Sequence, residues 1–234
     1  MILNDLEIAK LAAKQNMINP YFPELIRLLD YATYETSKAI SWGQSSFGYD
    51  IRLAYEPIKI FRHIPGVITD PKDFNPILLE EVEQPNYREF GRDFRTSYQI
   101  HQNKIHIYHN TVIEKNSFDY SDAEENYFIL PAHSYALGVS VEQFNIPRNI
   151  TAICLGKSTY ARCGILINVT PLESEWKGYL TIEISNISPS PCRIYLNEGI
   201  AQLLFFQGNE PKISYNDRKG KYQDQPKAVV LPTG

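Results

Sequence analysis

No apolar run in this 234-residue sequence approaches the roughly 18 to 20 residues that cross a bilayer, and no basic segment leads into an apolar core near its amino terminus. The expectation is a cytosolic protein that engages no membrane. Cysteine is scarce: Cys154, Cys163 and Cys192 are odd in number and lie in apolar, strand-like surroundings, which favours free thiols over a disulfide framework. Positive charge is in deficit, with 23 Lys and Arg against 27 Asp and Glu and a formal net charge of −4. That balance gives no field for tracking a polynucleotide, although it leaves room for a local cationic pocket that holds one nucleotide. Repeats and low-complexity linkers are absent too, and a 43% hydrophobic chain of this length suits a single domain spanning residues 1–234.

Several catalytic signatures are also missing. Zinc sites that make hydroxide for hydrolytic deamination space their ligands as His-x-Glu and Pro-Cys-x-x-Cys, and neither pattern occurs. None of His63, His101, His106, His109 and His133 stands beside a closely spaced cysteine couple, so no metal site is expected. The G-x-S-x-G elbow of serine hydrolases and the G-x-x-x-x-G-K-S/T loop of P-loop proteins are likewise absent. Ser158, the most prominent hydroxyl, reads as a hydrogen-bonding group rather than a nucleophile.

The signal that is present is mostly β. Asn4 stands three residues before Glu7 as in a capping box, and Leu6, Ile8, Leu11 and Ala12 then give a helical stripe over about residues 5–15. A second helix is expected over about 23–31, with Leu25, Ile26, Leu28 and Leu29 on its buried side. Thereafter short β-branched and aromatic runs predict strands near 49–53, 104–108, 127–130, 136–141, 151–155, 164–169, 179–185, 192–196 and 200–207, the last pair joined by the tight turn Asn197-Glu198-Gly199. The pattern is that of an all-β sandwich or barrel with short N-terminal helices. Prolines and mixed charge over about 61–126 predict loops, with an insertion around 80–126. The polar, cationic and aromatic stretch 215–225 is either a mobile tail or a flap, spanning about 212–234, over a polyanionic ligand.

Two features concentrate chemistry. Gly156-Lys157-Ser158-Thr159-Tyr160-Ala161-Arg162 puts a lysine, two hydroxyls and an arginine in one short element. Read alone, it is either an ordinary solvated turn or an anion pocket in which hydroxyls and backbone N–H groups meet phosphate oxygens. In Tyr179-Leu180-Thr181-Ile182-Glu183-Ile184-Ser185 the apolar Leu180, Ile182 and Ile184 alternate with polar residues, so a strand turns Glu183 away from the core face. Glu183 is then either an exposed strand carboxylate or a group aimed into a site.

Four further segments accompany these: Ser46-Phe47-Gly48-Tyr49-Asp50-Ile51-Arg52, Asn168-Val169-Thr170-Pro171-Leu172-Glu173-Ser174-Glu175-Trp176, Gly199-Ile200-Ala201-Gln202, and the tail Lys219-Gly220-Lys221-Tyr222-Gln223-Asp224-Gln225. Together, and in this order, they resemble the dCTP deaminases of the trimeric dUTPase superfamily. The resemblance implies a distorted β-barrel of jelly-roll type, a homotrimer with active sites between subunits, and hydrolysis of dCTP to dUTP and ammonia. It also implies no catalytic metal, with Mg2+ arriving bound to the substrate triphosphate.

By the same resemblance Glu183 is the general base, taking a proton from water as it attacks carbon 4 of cytosine and delivering protons to ring nitrogen 3 and the leaving amine. Ser158 and Arg162 hold water, base and pyrimidine in register. Lys157, Ser158, Thr159, Tyr160, Ala161 and Arg162 form the nucleotide-contacting turn. Thr181 and Ile182 offer backbone around the base, Gln202 offers a polar contact, and Tyr215, Lys221 and Gln225 close on the triphosphate and sugar. Asp50 reads as more structural than chemical. Burial raises the pKa of such a glutamate and a nearby arginine lowers it, so sequence leaves the net shift open.

The chain departs from the family pattern in the length of 80–126 and in the short T-P-L-E-x-E-W form of the 170–176 loop. The pyrimidine loop and glycine-rich tail of a plain dUTPase are absent. A bifunctional deaminase and diphosphatase yielding dUMP stands as an alternative, as does a non-enzymatic nucleotide-binding regulator, although a regulator has no need of the retained base and arginine.

Overall fold

A computed structural model describes residues 1–30, 36–82, 96–101, 104–109 and 127–232. In chain order its elements are α1 (Asp5–Gln15), β1 (Ile18–Asn19), β2 (Leu25–Asp30), β3 (Thr36–Ser45), β4 (Gly48–Arg52), β5 (Ile58–Phe61), β6 (Leu79–Val82), β7 (Thr96–His101), β8 (Lys104–His109), β9 (Tyr127–Leu130), β10 (Tyr135–Asn145), β11 (Ile150–Gly156), α2 (Ser158–Ala161), β12 (Ile165–Asn168), β13 (Lys177–Asn186), β14 (Cys192–Tyr195) and β15 (Gly199–Gln207). A six-stranded sheet runs β12-β13-β10-β5-β6, with β1 also paired to β10, and a seven-stranded sheet runs β11-β15-β4-β3-β2-β8-β7. β14 and β9 make a separate ribbon.

Period-two burial positions the site. Along β13 the buried residues Leu180, Ile182 and Ile184 alternate with half-buried Thr181, Glu183 and Ser185. β11 likewise buries Ile150, Ala152 and Cys154 and exposes the residues between them. The inner faces of both sheets merge in one core that includes Tyr49, Ile51, Phe144, Ile182, Ile184, Leu203 and Phe205, each large apolar side chain contributing about 1.5–3 kcal/mol when fully buried. The sheets join at a corner where Leu53 bridges Ser140 and the Ala54 N–H donates to Val139 O at 2.8 Å. Beside it the buried Arg52 Nε meets Glu142 Oε1 at 2.8 Å, and the guanidinium lies over Trp42 at 4.1 Å.

The all-β reading and the capped helix hold: Asn4 and Glu7 exchange both capping-box bonds at 3.0 Å. The second helix does not form. Residues 25–30 are a strand, antiparallel to β3 and parallel to β8. A register shift between Ile26 and Leu28 interrupts the alternation that normally marks a strand, and left a spacing that mimics a helical stripe. The stretch 61–126 is not only loops, because it supplies β6, β7 and β8; the remainder of the expected insertion, at 83–95, 102–103 and 110–126, lies outside the described residues. The Asn197 turn links β14 to β15 without making a hairpin, since these strands enter different sheets. Asn197 instead ties in to β4, its Oδ1 accepting from Arg52 Nη1 at 3.1 Å. Among the described residues no helix is long and apolar enough to cross a membrane.

Candidate active site

The turn grows out of the end of β11. Lys157, in extended conformation, is the N-cap of the single-turn α2, whose first bonds run from Ala161 N–H to Lys157 O at 2.9 Å and from Arg162 N–H to Ser158 O at 3.2 Å. Tyr160 is the buried anchor: its hydroxyl accepts the Tyr195 N–H of β14 at 2.8 Å. Ser158, Thr159, Ala161 and Arg162 are thereby left exposed. The Arg162 side chain folds back on its own turn, Nη1 donating to Ser158 O at 3.1 Å.

Lys157 does not point into solvent. It is buried, its ammonium pairs with Asp50 of β4, and Gln202 of β15 donates to the other Asp50 oxygen at 2.9 Å. Gln202 also reaches Ser45 Oγ at 3.2 Å. Residues expected to contact nucleotide from two segments are therefore joined through one carboxylate beneath the turn. Sequence reasoning had no signal for the pairing, because Asp50 and Lys157 are 107 positions apart.

Glu183 sits in β13 opposite Leu137 of β10 and Asn168, the last residue of β12. Its Oε2 is shielded from solvent and makes no hydrogen bond among the described residues. Burial pushes its carboxyl up to about 7, against a smaller lowering by its own backbone N–H. The charge is felt nearby: Tyr135 and Cys154 are each pushed up to about 12, first by burial and then by Glu183. Arg162 is not among the causes of the Glu183 shift. A protonatable carboxyl is thus held ready on one strand, and an exposed array of hydroxyls and a guanidinium on a separate turn.

Of the two other β13 residues expected at the base, Thr181 is half-buried and accepts the Val230 N–H on Oγ1 at 3.3 Å. Ile182, expected to contribute backbone, has its side chain buried in the core. β12 ends opposite Glu183, and the tail continues along the same edge of β13: Gln225 bridges Gly178 in parallel, and Tyr179 N–H donates to Gln225 O at 3.1 Å. A Cβ on Gly178, whose φ is +144°, would lie 2.6 Å from Gln225 N, so this approach requires glycine. Tyr215 packs its ring on Gly220 and accepts the Tyr222 N–H on its hydroxyl at 2.9 Å. Lys221, in the same fold of the tail, is exposed.

A family model described as dCTP deaminase-like matches residues 68–208. The dCTP deaminase of Azoarcus sp. (strain BH72) is 42% identical over 232 residues, covering 99% of this chain and 98% of that protein. The dCTP deaminase of Aromatoleum aromaticum is 43% identical over the same span and with the same coverage. Among solved structures, the 2'-deoxycytidine 5'-triphosphate deaminase of Agrobacterium tumefaciens aligns with a TM-score of 0.50 at 15% identity, covering 88% of this chain but only 46% of that one, a likeness of fold. Matched by the family model over more than half its length and by these relatives nearly end to end, the chain belongs to the dCTP deaminase family.

Proposed function

We propose that this protein hydrolyses dCTP to dUTP and ammonia with Glu183 as the proton shuttle. Family membership supplies the substrate, and the half-buried Glu183 carboxyl, raised to about 7, is the observation that carries the mechanism. In its ionised form Glu183 takes a proton from the water that adds to carbon 4 of cytosine. It gives that proton to ring nitrogen 3, then moves the second hydroxyl proton of the tetrahedral adduct to the amine, which leaves as ammonia. The oxygen of water stays on carbon 4. Ser158 and Arg162 orient water and pyrimidine, and the exposed hydroxyls of Ser158 and Thr159, with the backbone N–H groups at the start of α2, receive phosphate. Magnesium enters with the triphosphate as part of the substrate.

Within one chain Arg162 bonds its own turn and no described contact joins it to Glu183. On β11, which leads into the turn, Ile153 and Leu155 are 44% and 47% exposed, and Leu166 of β12 is 50% exposed. Exposed large apolar side chains on these two strands support completion of the site by a second copy, in the homotrimer expected of the family.

The test is to incubate purified protein with dCTP and magnesium and to resolve the products. Accumulating dUTP with equimolar ammonia is expected. dUMP with diphosphate would assign the bifunctional reaction, and tight dCTP binding without turnover would assign a regulator.

A further inference from the structure

The short 170–176 loop meets the tail at each residue from Glu173 to Trp176. The Glu173 carboxylate pairs with the Arg218 guanidinium, Ser174 O accepts the Tyr215 N–H at 3.0 Å, Glu175 O accepts from Gln223 Nε2 at 3.1 Å, and Trp176 Nε1 donates to Tyr222 O at 2.7 Å. One side chain underlies this contact. Arg148, in the connection from β10 to β11, donates through Nη1 to Glu175 Oε2 at 2.6 Å and through Nη2 to Asp217 Oδ2 at 2.8 Å. The same Nη2 reaches the carbonyls of Pro211 and Lys212 at 3.3 Å, and Glu210 Oε2 lies 4.0 Å from Nε. The Ser174 hydroxyl closes the loop by donating to Arg148 O at 2.5 Å.

An isolated surface ion pair contributes little, but here one planar guanidinium gathers acceptors from two chain segments. Asp217 is fixed from its other side as well, since it accepts the Ser214 N–H at 3.0 Å while its own N–H donates to Ser214 Oγ at 3.1 Å. These bonds, first from the Ser214 backbone and then from Arg148, hold the Asp217 carboxyl below its ordinary range. The folded segment from Ser214 onward carries Tyr215, Lys221 and Gln225.

We propose that Arg148 is a positioning residue for substrate capture: it clasps residues 210–217 to the 173–176 loop and so fixes the tail groups assigned to the nucleotide. This rests on the deaminase reading above. Arg148 touches no reacting atom in that reading, so its loss weakens capture of dCTP and spares the chemical step. Sequence offered no sign of it, because a single arginine in a Pro-Arg-Asn turn matches no motif.

The experiment measures dCTP kinetics for Arg148→Met and Arg148→Lys, together with the rate at which trypsin cuts the tail of the nucleotide-free protein at Lys219 and Lys221. Arg148→Met is expected to raise KM about tenfold with kcat within about twofold of the parent, and to speed cleavage of the tail. Arg148→Lys is expected to behave like Arg148→Met, because an ammonium cannot span the same acceptors. Asp217→Asn, at an exposed position, should shift KM and cleavage the same way, and decides the matter if Arg148→Met does not fold. Parent-like KM and cleavage in these variants, or full rescue by lysine, overturns the clasp. A parent protein that does not turn over dCTP defeats the deaminase reading instead, and the cleavage rates then decide the clasp alone.

Discussion

Glu183 shows how far a single residue is legible. Its alternation with Ile182 and Ile184 told which way the carboxylate faces, because strand geometry depends only on near neighbours. Its environment came from β10 and β12, which no local pattern encodes. Glu183→Gln should retain dCTP binding by calorimetry and lose turnover. In the parent, kcat/KM should rise with pH through about 7 as the base of the free enzyme ionises. Folding raises this pKa from 4.5 to about 7, so the folded state keeps a proton that the unfolded chain releases over that interval. Stability from this group therefore falls as pH rises from about 4.5 to 7. Glu183→Gln should melt higher than the parent at pH 8, by on the order of 1–2 kcal/mol, with the gap closing below about pH 4.5. Lys157 is the opposite case, since a G-K-S-T stretch announces residue types but not a partner on β4. Asp50→Asn or Lys157→Met alone leaves a buried charge unpaired and should cost about 3–5 kcal/mol in chemical denaturation. The double variant should be less destabilised than the sum, whereas strict additivity would mean that the pair is not coupled.

Secondary-structure elements were legible where their period was unbroken. α1 carries its start signal in Asn4 and Glu7, and β11, β13 and β15 show clean alternation or continuous apolar runs. β2 was not, because the irregularity between Ile26 and Leu28 gave four apolar residues a helix-like spacing. The β14–β15 turn was found, but the destinations of its strands were not, since pairing with β9 and β4 is decided far along the chain. The start of β15 also governs the site from below. A Cβ on Gly199 would lie 1.9 Å from Ser41 O and 3.0 Å from Lys157 Cε. Gly199→Ala should therefore push β15 from β3 and displace the lysine that anchors the α2 turn. Loss of more than about 2 kcal/mol in thermal unfolding, with reduced deamination, is expected.

For the whole molecule, fold class and family followed from segments in order, while the closure of the site did not. Among the described residues no hydrogen bond joins the turn to Glu183, and Ile153, Leu155 and Leu166 stand exposed on β11 and β12. Ile153→Glu should lower the mass measured by sedimentation to that of a single chain and abolish turnover, with the circular dichroism of the fold retained. An unchanged mass would place any subunit contact elsewhere. The edge of β13 below Glu183 has a different fate, being met by Gln225, which pairs with Gly178 and follows every strand in chain order. A chain that ends before Gln225 keeps every strand of both sheets but lacks that cover. Such a chain presents Tyr179 and its neighbours as an open strand that a second copy can join. Messages cut short before Gln225 would therefore yield proteins that are folded at the core and adhesive at the strand that carries the base.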